Sequence, residues 1–196
     1  MSPTGAHYTA WQETMLSRAQ RSARLGQLPR CIWLTGLSGA GKTTLACALE
    51  QHFHRDGRHT FLLDGDDLRH GLCRDLEFAD ADRIENIRRV AEVAKLMVDA
   101  GLIVLVALVS PFRAERQMTR RLFAQGEFIE VYVETPLEEC ERRDPKGLYA
   151  MARRGELDHF TGIDSPYESP NHPEVRVDTS FLSVEACVGH VLGRLA

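Results

Sequence analysis

The alternation of apolar and polar positions along the chain predicts short strands separated by helices. Apolar runs occupy residues 31–35, 60–64, 102–109, 128–134 and 175–178. Runs that are apolar throughout, rather than at every second position, are typical of strands that are buried on both faces of a parallel sheet. The pattern therefore predicts a parallel five-stranded sheet.

Helical periodicity occupies the intervals between these runs. Helices are predicted over residues 43–53, 82–100, 112–123 and 137–143, and a last helix begins after Ser183. Pro111 and Pro136 stand where the start of a helix tolerates proline, and Gly101 marks a helix end. Helices that alternate with strands cover both faces of a sheet, which predicts a three-layer α/β fold. In such folds, ligands bind beyond the carboxyl ends of the strands.

Length and charge narrow the class of protein. The 196 residues suit one domain, residues 30–196, preceded by a polar N-terminal arm, residues 1–29. A net charge of −4 without a basic stripe argues against nucleic-acid binding, and no apolar run is long enough to span a membrane. The N-terminal residues lack a signal pattern, so we expect a cytoplasmic protein. The five cysteines form no Cys-x-x-Cys pair, and we expect free thiols rather than a zinc site.

A glycine-rich segment follows the first predicted strand. Its sequence is Gly36-Leu37-Ser38-Gly39-Ala40-Gly41-Lys42-Thr43-Thr44, which fits the pattern G-x-x-x-x-G-K-[ST]. Glycines let main-chain N–H groups close around a phosphate at the positive end of the following helix. The lysine reaches the β- and γ-phosphates and the threonine hydroxyl coordinates Mg²⁺, so the segment predicts a site for a nucleoside triphosphate. The segment alone is compatible with a kinase, a GTPase or a motor, although a guanine-specific Asn-Lys-x-Asp is absent.

Acidic residues follow the second predicted strand. Asp64, Asp66 and Asp67 stand there, just before Arg69. Beside a phosphate loop, one carboxylate can hold a metal ion and another can accept a proton from an attacking hydroxyl. Asp64 is therefore a candidate metal-binding residue together with Thr43, and Asp66 is a candidate base. The structural alternative is an Asp-rich turn that caps the next helix.

Five motifs resemble, in order and without large gaps, those of the adenylylsulfate kinase (APS kinase) family. They are Asp64-Gly-Asp-Asp-Leu-Arg-His-Gly-Leu, Asp82-Arg-Ile-Glu-Asn-Ile-Arg-Arg, Ser110-Pro-Phe-Arg, Arg143-Asp-Pro-Lys-Gly-Leu-Tyr and Phe160-Thr-Gly-Ile-Asp-Ser-Pro-Tyr-Glu. The resemblance implies a P-loop kinase fold with a mobile lid, here residues 146–160, and the use of ATP and Mg²⁺. It also implies the reaction: ATP phosphorylates the 3′-hydroxyl of adenosine 5′-phosphosulfate (APS), giving the 3′-phosphorylated product PAPS and ADP in sulfate assimilation.

The resemblance further implies roles on the acceptor side of the site. Arg69 and Arg83 resemble the family's anion clamps, and Asn86 can hydrogen-bond to the substrate without adding charge. Phe78 and Phe160 match the aromatic residues that sandwich the APS adenine, with ordinary core packing as the alternative. The other implied substrate-contacting positions are Asp66, Val109, Ser110, Lys146 and Leu148.

Catalytic roles are expected for Lys42, Asp66 and Ser110. Lys42 offsets charge on the transferring phosphoryl group, and Asp66 orients the 3′-hydroxyl. The family's traditional label for the serine that matches Ser110 is a phosphoserine intermediate, but the motif contains no adjacent base to activate it. We therefore interpret Ser110 as a substrate-site residue and expect direct in-line transfer. The family usually has Asn where Asp67 stands, which bears on affinity rather than on the reaction.

Two other functions are considered. The first is a P-loop kinase for another nucleotide or a small alcohol. The Arg83 and Asn86 pair, Ser110-Pro-Phe and residues 146–167 argue against it. The second is a non-catalytic nucleotide-binding regulator of a sulfurylase, which would be expected to lose parts of the phosphate loop, whereas Lys42 and Thr43 are present. The resemblance implies a homodimer, and docking on a sulfurylase partner stays open.

Overall fold

A central sheet of five parallel strands organises the structure, a computed structural model that describes residues 16–77 and 79–195. The strands are β1 (Arg30–Thr35), β2 (Thr60–Asp64), β3 (Ile103–Ala107), β4 (Phe128–Val133) and β5 (Val175–Val177). Their order across the sheet is β2-β3-β1-β4-β5, and every neighbouring pair is parallel. The predicted parallel sheet is confirmed. The segments that follow β1, β2 and β3 consequently lie side by side at its carboxyl edge.

Helices cover both faces of the sheet. They are α1 (Arg18–Leu25), α2 (Lys42–Arg55), α3 (Gly65–His70), α4 (Asp80–Asp99), α5 (Arg113–Arg120), α6 (Leu137–Arg143), α7 (Leu148–Arg153) and α8 (Val184–Leu195). The pair α2 and α8 packs on one face, and the pair α4 and α5 lies on the other. The helices predicted from periodicity are confirmed, and only their ends differ. Ser183 caps the last helix, since its hydroxyl accepts a hydrogen bond from the Ala186 N–H at 3.2 Å.

Side chains of β1 alternate between two hydrophobic cores. Ile32 and Leu34 pack with the α2 and α8 side of the sheet, whereas Cys31 and Trp33 pack with α4. All four side chains are fully buried. Burying an aliphatic or aromatic side chain contributes roughly 1.5–3 kcal/mol, so both faces of this strand favour the fold. This two-sided burial is the reason why the strand is apolar at every position.

Two helices at the carboxyl edge of the sheet were not predicted. Both α3 and α7 have only six residues, which is less than two turns, so neither shows a helical period in the sequence. The Asp-rich turn considered as an alternative does cap α3, because the Asp64 carboxylate accepts a hydrogen bond from the Asp66 N–H at 2.9 Å. That capping leaves the second Asp64 oxygen available for other contacts.

The described part of the predicted N-terminal arm packs on the opposite edge of the sheet. Arg18 on α1 forms an ion pair with Glu127 at 2.5 Å. The Gln27 side chain donates to the carbonyls of His59 at 2.9 Å and Gly101 at 2.8 Å. These contacts lie at the end of the sheet away from the phosphate loop. Within residues 16–77 and 79–195, no helix is long and apolar enough to cross a membrane.

Candidate active site

A cleft of about 490 Å³ opens at the carboxyl edge of the sheet. Cavities of this size are typical of small-molecule sites. Its lining comes from the phosphate loop, the segments after β2 and β3, the inner face of α4, and the lid segment, residues 146–160, with its neighbours. The lining residues predicted from sequence are Ser38, Gly39, Gly41, Lys42, Thr43, Thr44, Asp64, Asp66, Arg69, Arg83, Asn86, Val109, Ser110, Lys146, Leu148 and Phe160. Phe78 lies outside the described residues.

The phosphate loop connects β1 to α2 and is packed too tightly for a side chain at two of its glycines. At Gly36, where φ is +153°, an added Cβ would lie 2.5 Å from the Val133 carbonyl oxygen. At Gly39 it would lie 2.9 Å from the carbonyl oxygen of Cys140. The Ala40 carbonyl accepts a hydrogen bond from the Thr179 hydroxyl at 2.8 Å. These contacts hold the loop close against β4 and α6, at the positive end of α2.

Lys42 is buried and bonded to its own loop. Its Nζ donates to the carbonyls of Gly36 at 3.0 Å and Leu37 at 2.7 Å. Burial lowers the pKa of Lys42 to about 8, although Asp64 and Asp66 act in the opposite direction. A buried ammonium whose charge is poorly matched gains most from an anionic ligand. The β- and γ-phosphates expected beside this lysine would supply that charge.

Thr43 and Asp64 form a pair at the start of α2 and the end of β2. The Thr43 hydroxyl donates to Asp64 Oδ2 at 2.7 Å, and the Asp64 side chain is buried. A hydroxyl and a carboxylate are hard oxygen donors of the kind that Mg²⁺ prefers, and Mg²⁺ commonly takes one or two protein ligands plus phosphate oxygens. The pair therefore fits Mg²⁺. No group of three or more His, Cys, Asp or Glu side chains in the described ranges could hold a metal ion.

Asp66 lies at the start of α3 and forms an ion pair with Lys146 of the lid segment. Both side chains are about half exposed, so solvent screens the pair. The neighbouring Asp67 is exposed and is not part of the cleft lining. Asp67, where the family usually has Asn, thus lies next to the site but does not line it.

Two arginines and an asparagine, Arg69, Arg83 and Asn86, form a further part of the cleft wall. Arg83 and Asn86 lie on the inner face of α4 and are 8% and 5% exposed. Burial lowers the pKa of both Arg83 and Arg69, because both guanidinium groups are partly removed from water. The Arg83 guanidinium also donates to the His159 carbonyl at 2.5 Å, which ties it to the lid segment. This wall combines positive charge with a neutral amide, as an anionic nucleotide requires.

The lid segment is joined to the phosphate loop by aromatic residues. The Phe160 ring lies 4.9 Å from the Tyr149 ring at an interplanar angle of 85°. The Tyr149 hydroxyl donates to the Ser38 carbonyl at 3.0 Å. Phe160 is only 6% exposed and borders both the cleft and the hydrophobic core, so the core packing considered as the alternative is present, and contact with the adenine stays a prediction.

Ser110 follows β3 with its hydroxyl turned into the interior. Its Oγ accepts a hydrogen bond from Trp33 Nε1 at 3.1 Å and donates to Thr35 Oγ1 at 2.9 Å. The residue is 3% exposed and has a φ of +39°, which is uncommon for a residue other than glycine. Neither partner is a carboxylate or an imidazole, so the Ser110 hydroxyl is hydrogen-bonded to no group that could act as its base.

Two candidate functional residues, Thr161 and Arg143, were not predicted from the sequence. The Thr161 hydroxyl is buried at the cleft and has no hydrogen-bond partner among the described residues. Arg143, at the end of α6, lines the cleft and donates to the Thr179 hydroxyl at 2.8 Å and carbonyl at 2.9 Å. Both belong to motifs that resemble the APS kinase family, which was the only signal for them. The burial of the Thr161 hydroxyl and the position of Arg143 at the cleft distinguish these residues, and both properties exist only in the folded chain.

The sheet order, the phosphate loop and the cleft define the class as a phosphate-loop kinase. A family model of adenylylsulphate kinase matches residues 28–178. An adenylyl-sulfate kinase of Marinobacter nauticus is 60% identical over 185 residues, which are 94% of this chain and 93% of the relative. The chain belongs to the adenylylsulphate kinase family.

A solved structure and a longer relative agree with this assignment. The structure of Mycobacterium tuberculosis APS kinase CysC in complex with AMPPNP and APS has a TM-score of 0.82 and 47% identity. The match covers 85% of this chain and 97% of that one. The bifunctional enzyme NodQ of Rhizobium sp. is 60% identical over 169 residues, which are 86% of this chain but 27% of that enzyme. This protein is accordingly an ATP-dependent kinase.

Proposed function

We propose that the chain is an adenylyl-sulfate kinase, which transfers the γ-phosphate of ATP to the 3′-hydroxyl of APS and forms PAPS and ADP. The observation that carries the proposal is that the phosphate loop and the buried Arg83 and Asn86 line the same cleft. A donor nucleotide and a second, anionic nucleotide can meet in such a cleft. Membership of the adenylylsulphate kinase family supports the same reaction.

On the donor side, the phosphate loop binds the ATP phosphates. Its N–H groups and the start of α2 supply positive potential, and Lys42 exchanges its loop carbonyls for phosphate oxygens. When bound, Mg²⁺ would neutralise phosphate charge, and Thr43 and Asp64 would hold it. The Thr43–Asp64 hydrogen bond at 2.7 Å keeps the hydroxyl and the carboxylate adjacent to each other beside the loop.

On the acceptor side, charge and shape select APS. Arg69 and Arg83 bind the phosphosulfate, because a guanidinium fork matches the oxygens of tetrahedral anions. Asn86 bonds to the nucleoside, and Phe160 provides a face on which the adenine stacks. The arginine pair favours a nucleotide whose negative charge is spread over two linked tetrahedral groups, as in a phosphosulfate, over one with a single phosphate.

Asp66 orients the 3′-hydroxyl and accepts its proton. Phosphoryl transfer requires mainly alignment and neutralisation of charge, so one well-placed carboxylate is sufficient. Asp66 is bonded to Lys146 here, and substrate binding would separate the two side chains or insert the hydroxyl between them. Ser110 contributes through its position in the cleft wall, because its hydroxyl is already bonded to Trp33 and Thr35.

The proposal extends to assembly, location and motion. The family resemblance supports a cytoplasmic homodimer that binds Mg²⁺, closes residues 146–160 over both nucleotides, and docks on a sulfurylase as an optional partner. The proposal also divides the chain into an N-terminal arm, residues 1–29, and the catalytic domain, residues 30–196. Sedimentation equilibrium of the purified chain, alone and mixed with a sulfurylase, tests the assembly.

The deciding experiment measures ADP release from ATP and Mg²⁺ with APS, with AMP, and with neither. The expected result is ADP release that depends on APS, together with a product whose mass equals APS plus one phosphoryl group. AMP is the matched acceptor control, because it has the same nucleoside and lacks the sulfate. Equal rates with AMP and APS would contradict the assigned acceptor, and ATP binding without turnover would indicate a regulatory domain.

A further inference from the structure

The Arg116 side chain lies behind the acceptor side of the cleft and does not line it. We propose that Arg116 is a positioning residue for the acceptor nucleotide, which acts by fixing the turn at residues 109–111. The inference rests on the proposed function, since it assumes that APS binds against this turn. Under this inference the buried Arg116 affects how the acceptor nucleotide binds, in addition to stabilising the fold.

One guanidinium joins three separate segments of the chain. Arg116 lies on α5 and is 2% exposed. Its Nε donates to Glu130 Oε1 on β4 at 2.8 Å, and its two terminal nitrogens donate to the carbonyls of Ser110 and Glu168, both at 2.5 Å. The planar fork of an arginine can satisfy three acceptors in fixed directions, which a lysine cannot do. The geometry of the turn is therefore linked directly to the sheet through Glu130.

The turn that Arg116 holds requires such support. Ser110 has a φ of +39°, a conformation that is unfavourable for a residue other than glycine and persists only where surrounding contacts enforce it. Val109, Ser110 and Pro111 all line the cleft. If residues 109–111 adopted a more favourable conformation, this part of the cleft wall would move on the side where the acceptor is proposed to bind.

A second set of hydrogen bonds ties the same turn to the segment that carries Phe160 and Thr161. The Glu168 N–H donates to the Pro111 carbonyl at 2.8 Å. The Tyr167 hydroxyl is 2.9 Å from Thr35 Oγ1, and the Arg116 guanidinium lies 5.7 Å from the centre of the Tyr167 ring. Burial raises the pKa of Tyr167, so the phenol stays protonated. Arg116 thus stands where two parts of the acceptor wall meet.

The alternative explanation is a buried ion pair that serves stability alone. A buried ion pair is by itself weak grounds for a functional role. The chain offers a matched control in Arg120, one turn further along α5, which also pairs with Glu130, at 3.2 Å, and with Glu174 at 2.6 Å. Every contact found for Arg120 lies away from the turn at residues 109–111. Removal of either arginine weakens the Glu130 network, but only Arg116 touches the turn.

The test compares KM for APS, KM for ATP and kcat in the wild type, Arg116→Gln and Arg120→Gln. For Arg116→Gln we expect KM for APS to rise about 10- to 100-fold, the loss that a small misplacement of substrate produces. KM for ATP should stay within about twofold of the wild type, because the phosphate loop is held by separate contacts. Arg120→Gln should lower the melting temperature and leave both KM values unchanged.

The conservative variant Arg116→Lys distinguishes the positioning role of Arg116 from the effect of its charge. In Arg116→Lys the ammonium can pair with Glu130 but cannot reach both carbonyls, so KM for APS should remain about tenfold raised. This variant also carries the test if Arg116→Gln does not fold. An unchanged KM for APS in Arg116→Lys, or equal shifts in both KM values in Arg116→Gln, would overturn the inference. An inactive wild type would overturn the proposed function and the inference together, whereas an active wild type isolates the inference.

Discussion

Lys146 of the lid segment contacts Asp66 at the start of α3, which places an ammonium on the carboxylate proposed to orient the acceptor hydroxyl. The two residues lie 80 positions apart in the chain. Their pairing joins the lid segment to the catalytic edge of the sheet. This carboxylate is positioned to accept a proton from the acceptor hydroxyl once the lysine moves.

The first prediction concerns Asp66. Asp66→Asn should lower kcat about 100- to 10,000-fold, the range in which a positioned acid or base contributes, because an amide cannot accept the hydroxyl proton. ATP affinity, measured by calorimetry, should change little. Asp67→Asn is the matched control, since Asp67 is adjacent, carries the same charge and does not line the cleft. Near-normal turnover in Asp66→Asn would remove Asp66 from the catalytic residues.

The second prediction concerns the charge of Lys42. Lys42→Ala should lower kcat about 100- to 1,000-fold, because a buried, preorganised cation at the transferring phosphoryl group is lost. Single-turnover kinetics with saturating ATP distinguishes this loss from weaker binding. Gln51→Ala, at an exposed position of the same helix that does not line the cleft, is the control expected to retain activity. Comparable losses in the two variants would indicate general damage to α2.

The third prediction is a pH effect on stability from the same lysine. Burial lowers the pKa of Lys42 to about 8 from its ordinary 10.5, so the folded protein releases this proton at lower pH than the unfolded chain. Below about pH 8 both states bind the proton and the cost of burying the charge is present in full. Above that value the unfolded state binds more protons, and this group makes stability rise until the ordinary pKa is reached.

Urea denaturation of the ligand-free protein measures this effect. Lys42→Met should be more stable than the wild type at about pH 7, and its advantage should shrink by about pH 10. The difference between the free energies of unfolding of the two proteins at each pH removes the contribution of the other titrating groups. A difference that does not change with pH would show that Lys42 titrates in the folded protein as it does in the unfolded chain.

The fourth prediction concerns Ser110. Ser110→Ala should retain appreciable activity, because direct transfer needs no hydroxyl at this position. It should lower the free energy of unfolding by about 1–3 kcal/mol, since the buried Trp33 N–H loses its acceptor. Kinetic assays and thermal melts of the same preparation test both expectations. Complete loss of turnover with intact APS binding would instead support a phosphoserine intermediate, which mass spectrometry of the ATP-treated wild type would detect.

The fifth prediction concerns Thr161. Thr161→Val should leave stability unchanged or raise it, because its buried hydroxyl has no partner within the described chain and costs free energy to bury. KM for APS should rise about tenfold, as for the loss of one hydrogen bond to a charged ligand. Thr161→Ser, which keeps the hydroxyl, is the control. Wild-type KM in Thr161→Val would show that the hydroxyl does not contact the acceptor.

Local sequence determined the elements that carry the donor side of the site. Both faces of β1 are buried, so its side chains had to be apolar throughout, and β2 was predicted with the bounds it has. The phosphate loop was recognisable because its glycines, Lys42 and Thr43 act within one short segment. The pairing of Thr43 with Asp64 followed from the rule that ligands bind at the carboxyl ends of parallel strands.

Tertiary structure alone decided which side chains face each other across the chain. Nothing near Ser110 in the sequence indicates that Trp33 and Thr35 hold its hydroxyl, or that Arg116 holds its carbonyl. The six-residue helices α3 and α7 have no period to detect, and the burial of Thr161 depends on segments distant in sequence. The physical reason is that strand patterns and loop motifs depend on neighbours along the chain. Hydrogen bonds, burial and pKa values instead depend on neighbours in space, which exist only after the sheet has assembled.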